Sequence, residues 1–224
     1  MNLQRVAIFG GTFDPIHNGH LQAARGVQNL FAIDQMIFVP ACMPPHKRNA
    51  NITSAFHRFA MLALATQADP AFKISTVELD NPDRPYAIDT VSQVQAEFGP
   101  RWRVFFVMGA DSWSELTTWH KWQRLLASCS SIVVTRPDHD LDNAEAARVA
   151  RLCDVRGLSA SEISAELDKD EKPRTFFTDT AMTNISATAI RMAVRAGDHE
   201  KLSAMVPQSV AAYIEKHRLY TRTG

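Results

Sequence analysis

Residues 6–31 read "VAIFGGTFDPIHNGHLQAARGVQNLF". The apolar run 6–9 has the length and composition of a buried strand, and from residue 20 onward apolar residues recur at helical spacing. Between them stand three glycines, a proline and two histidines three residues apart. In an open parallel sheet, ligands lie at the carboxyl ends of strands, where the next helix directs its unpaired N–H groups and the positive end of its dipole. Gly10 and Gly11 permit a tight turn and let a ligand approach main chain. Asn18 is a candidate N-cap, and Gly19 keeps the helix start clear of a side chain. His17 and His20, at i and i+3, can face the same way. The combination suits a phosphate.

Strand-length apolar runs recur at 36–40, 72–79, 104–109 and 131–136, with a further candidate at 174–180. Helix-period stretches fall between them, at 55–67, 87–98 and 119–127. Alternation of this kind predicts an α/β fold, a Rossmann-like doubly wound parallel sheet with helices on both faces. Residues 186–197 and 207–219 predict two closing helices, so that 186–224 forms a helical C-terminal part; Ser186 is a candidate N-cap, Gly197 lies past the end of the first helix, and Pro207 opens the second. The Asp-, Glu- and Ala-rich stretch 138–172 reads as a surface excursion of two short helices, around 143–153 and 160–168, packed on the body. With 224 residues and 46% hydrophobic side chains, residues 1–224 are expected to form a single domain.

Twenty-four basic residues balance twenty-four acidic ones, so a nucleic-acid or membrane-surface partner is not expected, and a basic site must be local. Cys42, Cys129 and Cys153 form no CxxC pair, which argues against a disulfide framework or a cysteine zinc site and fits a reduced cytoplasm. No signal-peptide pattern is legible at 1–9, and no apolar run approaches the roughly 18 residues of a spanning helix. Neither GxxxxGK[ST] nor GxGxxG occurs, and HExxH is absent. From the residues alone, two histidines at a helix start can equally be packed or capping groups.

Two motifs in order give the histidines a context. The segment "GGTFDPIHNGH" at 10–20 resembles the HxGH signature of a nucleotidyltransferase superfamily, and "ISATAIR" at 185–191 resembles its second signature, ISxTxxR. Further matches, "VPACMPPHK" at 39–47, "GADSW" at 109–113 with Trp119, "RP" at 136–137 and "VPQSVAAYIEKHRLY" at 206–220, extend the resemblance over nearly the whole chain. Together they are similar to the bacterial nicotinate-nucleotide adenylyltransferases, with 138–172 the weakest part.

That resemblance implies transfer of AMP from ATP to nicotinate mononucleotide, with magnesium held mainly by the ATP phosphates and no protein metal ligand. It assigns catalysis to His17, His20 and Arg191, and ATP binding to Gly10, Gly11, Thr12, Phe13, Gly19, Ile185, Ser186 and Thr188 together with those three. His46 and Lys47 would form a phosphate-binding loop. Tyr86, Ala87, Ile88, Asp111, Trp119 and Arg136 would bind the nicotinate nucleotide, Trp119 by stacking on the pyridine and Asp111 by accepting from ribose hydroxyls; Trp113 and Trp122 are expected to be packing residues. ATP and nicotinate mononucleotide are thus the expected partners, and a homodimer is compatible with the sequence. One departure concerns the acceptor. Ala87 stands where the family usually has a hydroxyl, and His120 where tyrosine is common, which leaves recognition of the nicotinate carboxylate to main-chain N–H groups. Other acceptors of the same superfamily, such as nicotinamide mononucleotide, and a non-catalytic nucleotide sensor stay open as alternatives.

Overall fold

The computed structural model describes residues 3–42, 52–83, 86–135, 143–180 and 185–221. His46, Lys47 and Arg136 lie outside them. Seven strands, β1 (Gln4–Gly11), β2 (Gln35–Pro40), β3 (Phe72–Ile74), β4 (Trp102–Gly109), β5 (Ser130–Val134), β6 (Leu152–Asp154) and β7 (Thr175–Thr178), form one sheet in the order β3-β2-β1-β4-β5-β7-β6. Every pairing is parallel. The helices are α1 (Asn18–Phe31), α2 (Ala55–Thr66), α3 (Val77–Asp80), α4 (Ala87–Phe98), α5 (Ala110–Ser114), α6 (Trp122–Ser128), α7 (Ala144–Val149), α8 (Ala160–Asp168), α9 (Ala187–Ala196), α10 (His199–Met205) and α11 (Gln208–Lys216).

Alternate residues of β1 feed two cores, as the period of a strand requires. Ala7 and Phe9 join Val27 and Phe31 of α1, Met61 and Leu62 of α2, Ile163 of α8 and Ile190 of α9. Val6 and Ile8 join Val91 and Val94 of α4, Leu125 of α6, Trp113 and Ala146 on the opposite face. Helices therefore cover both faces, as the alternating pattern predicts. Trp113 and Trp122 are core residues, 1% and 6% exposed.

Three departures from the sequence reading have local causes. The apolar run 72–79 is a strand only to Ile74: the Val77 N–H donates to Ser75 Oγ at 3.3 Å and Thr76 Oγ1 to Asp80 Oδ2 at 2.6 Å, which turns the chain into the short helix α3. Helix α6 starts at Trp122 rather than 119, because Lys121 takes a left-handed conformation, φ 53°. Trp119 and His120 consequently sit in the turn before the helix. The stretch 138–172 is more than a helix pair, since β6 lies between α7 and α8 and pairs with β7 at the sheet edge, while α8 buries Ile163 and Leu167. Leu152 and Asp154 are exposed, so this strand has no apolar signature; its main-chain pairing defines it.

Candidate active site

Strand β1 is followed by α1 and β2 on one side of the sheet order, whereas β4 is followed by α5, α6 and β5 on the other, so the order reverses between β1 and β4. Ligands of open α/β sheets bind at such a point, beyond the carboxyl ends of the strands. Gly10 and Gly11 end β1 there, and Gly109 ends β4 beside Asp111 in the first turn of α5.

The turn from β1 into α1 is closely packed. A Cβ on Gly11 would lie 2.9 Å from the Phe13 ring, and Phe13 itself has φ 48°. His17 rather than Asn18 occupies the N-cap position of α1, and no side chain caps this helix; the Asn18 amide instead donates to the Ala204 carbonyl at 3.2 Å. The His17 and His20 rings stack with centroids 3.7 Å apart and planes at 25°. Phe13 packs edge-on against His20 at 5.1 Å. The Nδ1 atoms of both histidines are buried without a hydrogen-bond partner among the described residues. Burial pushes the His17 pKa down to about 4, and burial followed by the proximity of His17 holds His20 well below the usual imidazole range. Without ligand, both imidazoles are neutral at pH 7. Unpaired buried polar atoms are rare in folded proteins.

The second motif reaches this turn. Ser186 caps α9 by accepting from the Ala189 N–H at 3.2 Å, and Gly197 closes the helix at φ 69°, both as the sequence predicts. Arg191 Nη1 donates to the Asp14 carbonyl at 2.8 Å, across 177 positions of sequence, and its Nη2 donates to Thr188 Oγ1 at 3.2 Å. Ile185 packs against the core beside Ile190. His17, His20, Thr188 and Arg191 therefore come from opposite ends of the chain to one place.

Sequence reasoning passed over the groups that hold this arrangement. Arg58 is 1% exposed and donates to three carbonyls, those of Thr12 at 2.7 Å, Thr53 at 2.9 Å and Cys42 at 3.0 Å. Burial lowers its pKa, and nearby Asp14 opposes that shift. A signal existed: Arg58 shares a helical stripe with Met61 and Leu62, and a charge on an apolar stripe needs partners. Asp14 and Tyr220 stand inside the matched segments 10–20 and 206–220, but nothing local in the sequence pairs them.

Tyr86, Ala87, Ile88 and Trp119, expected on the acceptor side, lie with the second core on the other face of β1 and β4. Gly10 abuts the Phe106 ring, 3.9 Å from where its Cβ would be, and Phe106 meets the Trp119 ring edge to face, centroids 6.2 Å apart. Tyr86 stands at the N-cap of α4 with no side-chain cap, and its ring lies 4.3 Å from that of His120. Ala87 and Ile88 form the first turn of α4. Glu78 of α3 accepts from Thr90 Oγ1 at 2.8 Å, and burial raises its pKa. A separate cleft of about 480 Å³ at the amino ends of β4 and β5, lined by Trp102, Arg103 and Cys129, holds none of the motif residues.

The fold is that of a nucleotidyltransferase, and residues 8–193 match the cytidylyltransferase-like family. A probable nicotinate-nucleotide adenylyltransferase of Symbiobacterium thermophilum is 39% identical over 98% of this chain and 97% of the relative, and one of Thermoanaerobacter sp. is 36% identical over 97% and 95%. The chain belongs to the nicotinate-nucleotide adenylyltransferase family. Its fold is shared by Plasmodium falciparum nicotinic acid mononucleotide adenylyltransferase complexed with APC, with TM-score 0.68, 18% identity and 97% of each chain covered.

Proposed function

We propose that this protein transfers AMP from ATP to nicotinate mononucleotide, giving deamido-NAD and pyrophosphate in NAD biosynthesis, in the cytoplasm. The observation that carries the residue assignment is the Arg191–Asp14 contact at 2.8 Å, which joins the two signature motifs beside His17 and His20. A phosphate oxygen of the mononucleotide attacks the α-phosphorus of ATP. The bond from that phosphorus to the bridging oxygen breaks, and pyrophosphate leaves with the electron pair. The attacking phosphate has a second pKa near ~6 and is ionised at neutral pH, so no protein base is required.

Charge is the obstacle, and positioning and electrostatics must meet it. His17 and His20 each carry one N–H when neutral, and an arriving polyanion favours a second proton on them. Arg191, Thr188 and the N-terminus of α9 receive the β- and γ-phosphates, with Gly10, Gly11, Thr12, Phe13 and Gly19 bounding the nucleotide. His46 and Lys47 add positive charge. On the acceptor side, Trp119 stacks on the pyridine, Asp111 accepts from ribose, Arg136 stands near the nucleotide, and the first-turn N–H groups of α4, at Ala87 and Ile88 after Tyr86, receive the carboxylate.

Nucleotidyltransferases generally use a divalent ion. Among the described residues no three histidine, cysteine or acidic side chains gather to hold one. A magnesium ion coordinated by phosphate oxygens and water fits such a site, and it would offset charge on the triphosphate. The deciding measurement is pyrophosphate release from ATP with the acid and the amide mononucleotides side by side. Turnover with the acid is expected; none with it would overturn the reading.

A further inference from the structure

Asp14 lies three residues before His17 and is 7% exposed. Its groups receive donors from three distant segments. Oδ1 accepts from the Tyr220 hydroxyl at 2.7 Å, Oδ2 from the Thr53 N–H at 3.3 Å, and the main-chain carbonyl from Arg191 Nη1 at 2.8 Å. Arg58 donates to the carbonyl of Thr12 in the same turn and to that of Thr53, whose N–H meets the Asp14 carboxylate, so the turn and the Thr53 segment are tied together. A buried carboxylate with these partners has one orientation.

Tyr220 reaches Asp14 by an unusual backbone path. Past α11, Arg218 and Tyr220 take left-handed conformations, φ 49° and 63°. Such a φ is uncommon for a bulky side chain, costs energy, and persists where the surroundings over-determine it. The surroundings here are the Asp14 carboxylate and the first core, against which Tyr220 packs. Burial and the adjacent Asp14 raise the Tyr220 pKa, so the hydroxyl stays protonated and donates at every working pH.

We propose that Tyr220 is a positioning residue of the ATP-phosphate site: its hydrogen bond to Asp14 fixes the turn that carries His17 and His20 and the carbonyl on which Arg191 rests. The proposal rests on the reading of His17, His20 and Arg191 as the groups that hold the triphosphate. It adds the segment after α11 to the active site, although Tyr220 touches no substrate.

The test is Tyr220→Phe, which removes one oxygen and keeps the ring. ATP affinity is measured by calorimetry in the absence of acceptor, alongside the KM for each substrate, kcat and the thermal midpoint. A hydrogen bond to a charged group is strong enough for its loss to weaken ATP binding about tenfold. The expected result is that loss, with a matching fall in kcat/KM for ATP and an unchanged KM for nicotinate mononucleotide. Unaltered ATP affinity, whatever the thermal midpoint does, would overturn the proposal; so would equal weakening of both substrates, the mark of a general loss of structure. Asp14→Ala with Tyr220→Phe completes a double-mutant cycle, in which the second change should add nothing to the first, and additive losses count against the proposal. Should Asp14→Ala not fold, Tyr220→Phe decides alone. Because ATP binding is read directly, a wild type inactive toward nicotinate mononucleotide would refute the acceptor assignment and leave this test standing.

Discussion

On the phosphate side of the site, His17 is 6% exposed, Asp14 is 7% exposed, and donors from residues 58, 191 and 220 converge on the turn. On the acceptor side, Asp111 and His120 are exposed, and Trp119 and Tyr86 are half-buried rings resting on the second core. The first side is fixed by long-range hydrogen bonds to main-chain carbonyls and to the Asp14 carboxylate; the second is shaped by ring contacts such as Tyr86–His120. The difference accords with what each is proposed to hold. A triphosphate demands groups already aimed when charge develops, since reorganising them at that moment would raise the barrier. A pyridine face can be met by a ring with some freedom, because stacking tolerates lateral displacement.

The sharpest way to break this contrast is His20→Ala. Turnover should fall by about 10² to 10³, as for loss of one preorganised donor, and the thermal midpoint by only a few degrees. Kinetics and thermal denaturation on the same preparation check both halves. A collapsed fold with residual activity in the survivors would mark His20 as a packing residue. Trp119→Ala probes the other side with a smaller effect: KM for nicotinate mononucleotide should rise about tenfold, the size of one lost stacking contact, while KM for ATP holds. Equal rises in both would erase the distinction between the two sides.

A further expected effect concerns protons and belongs to the His17 side alone. The His17 pKa is about 4 in the folded protein and near ~6.5 in the unfolded chain, so the unfolded state binds the proton first as pH falls. Stability is therefore undiminished by His17 above about pH 6.5 and is lost progressively toward pH 4, by roughly 3 kcal/mol in all. Denaturant titrations across that window should show a shallower pH dependence for His17→Asn. On the proposed reading, a bound triphosphate would reverse the bias by favouring the charged imidazole. At pH 6, calorimetry in buffers of different ionisation enthalpy should find that ATP binding takes up a larger fraction of a proton in the wild type than in His17→Asn. Identical uptake would mean that His17 does not sense the phosphates.

Much of this was written locally. The strand–turn–helix at residues 6–31, the capped helix α9 and the alternation of β and α elements rest on side-chain period, glycine and capping hydroxyls, which act within a few residues. The short strand β6 and the early end of β3 were not legible, because one depends on main-chain pairing with β7 and the other on hydroxyl bonds that outweigh an apolar run.

By itself, the sequence determined which chemical groups stand at the carboxyl end of β1 and at the start of α9, and hence the family and its reaction. Only the tertiary structure decided that Arg58 and Tyr220 bond to the turn at Thr12 and Asp14, and that burial lowers the pKa of both histidines. The physical reason is range. A cap or a tight turn is satisfied by its neighbours in sequence, whereas a buried guanidinium, a carboxylate and an imidazole take their partners and their charge from whatever the fold brings beside them.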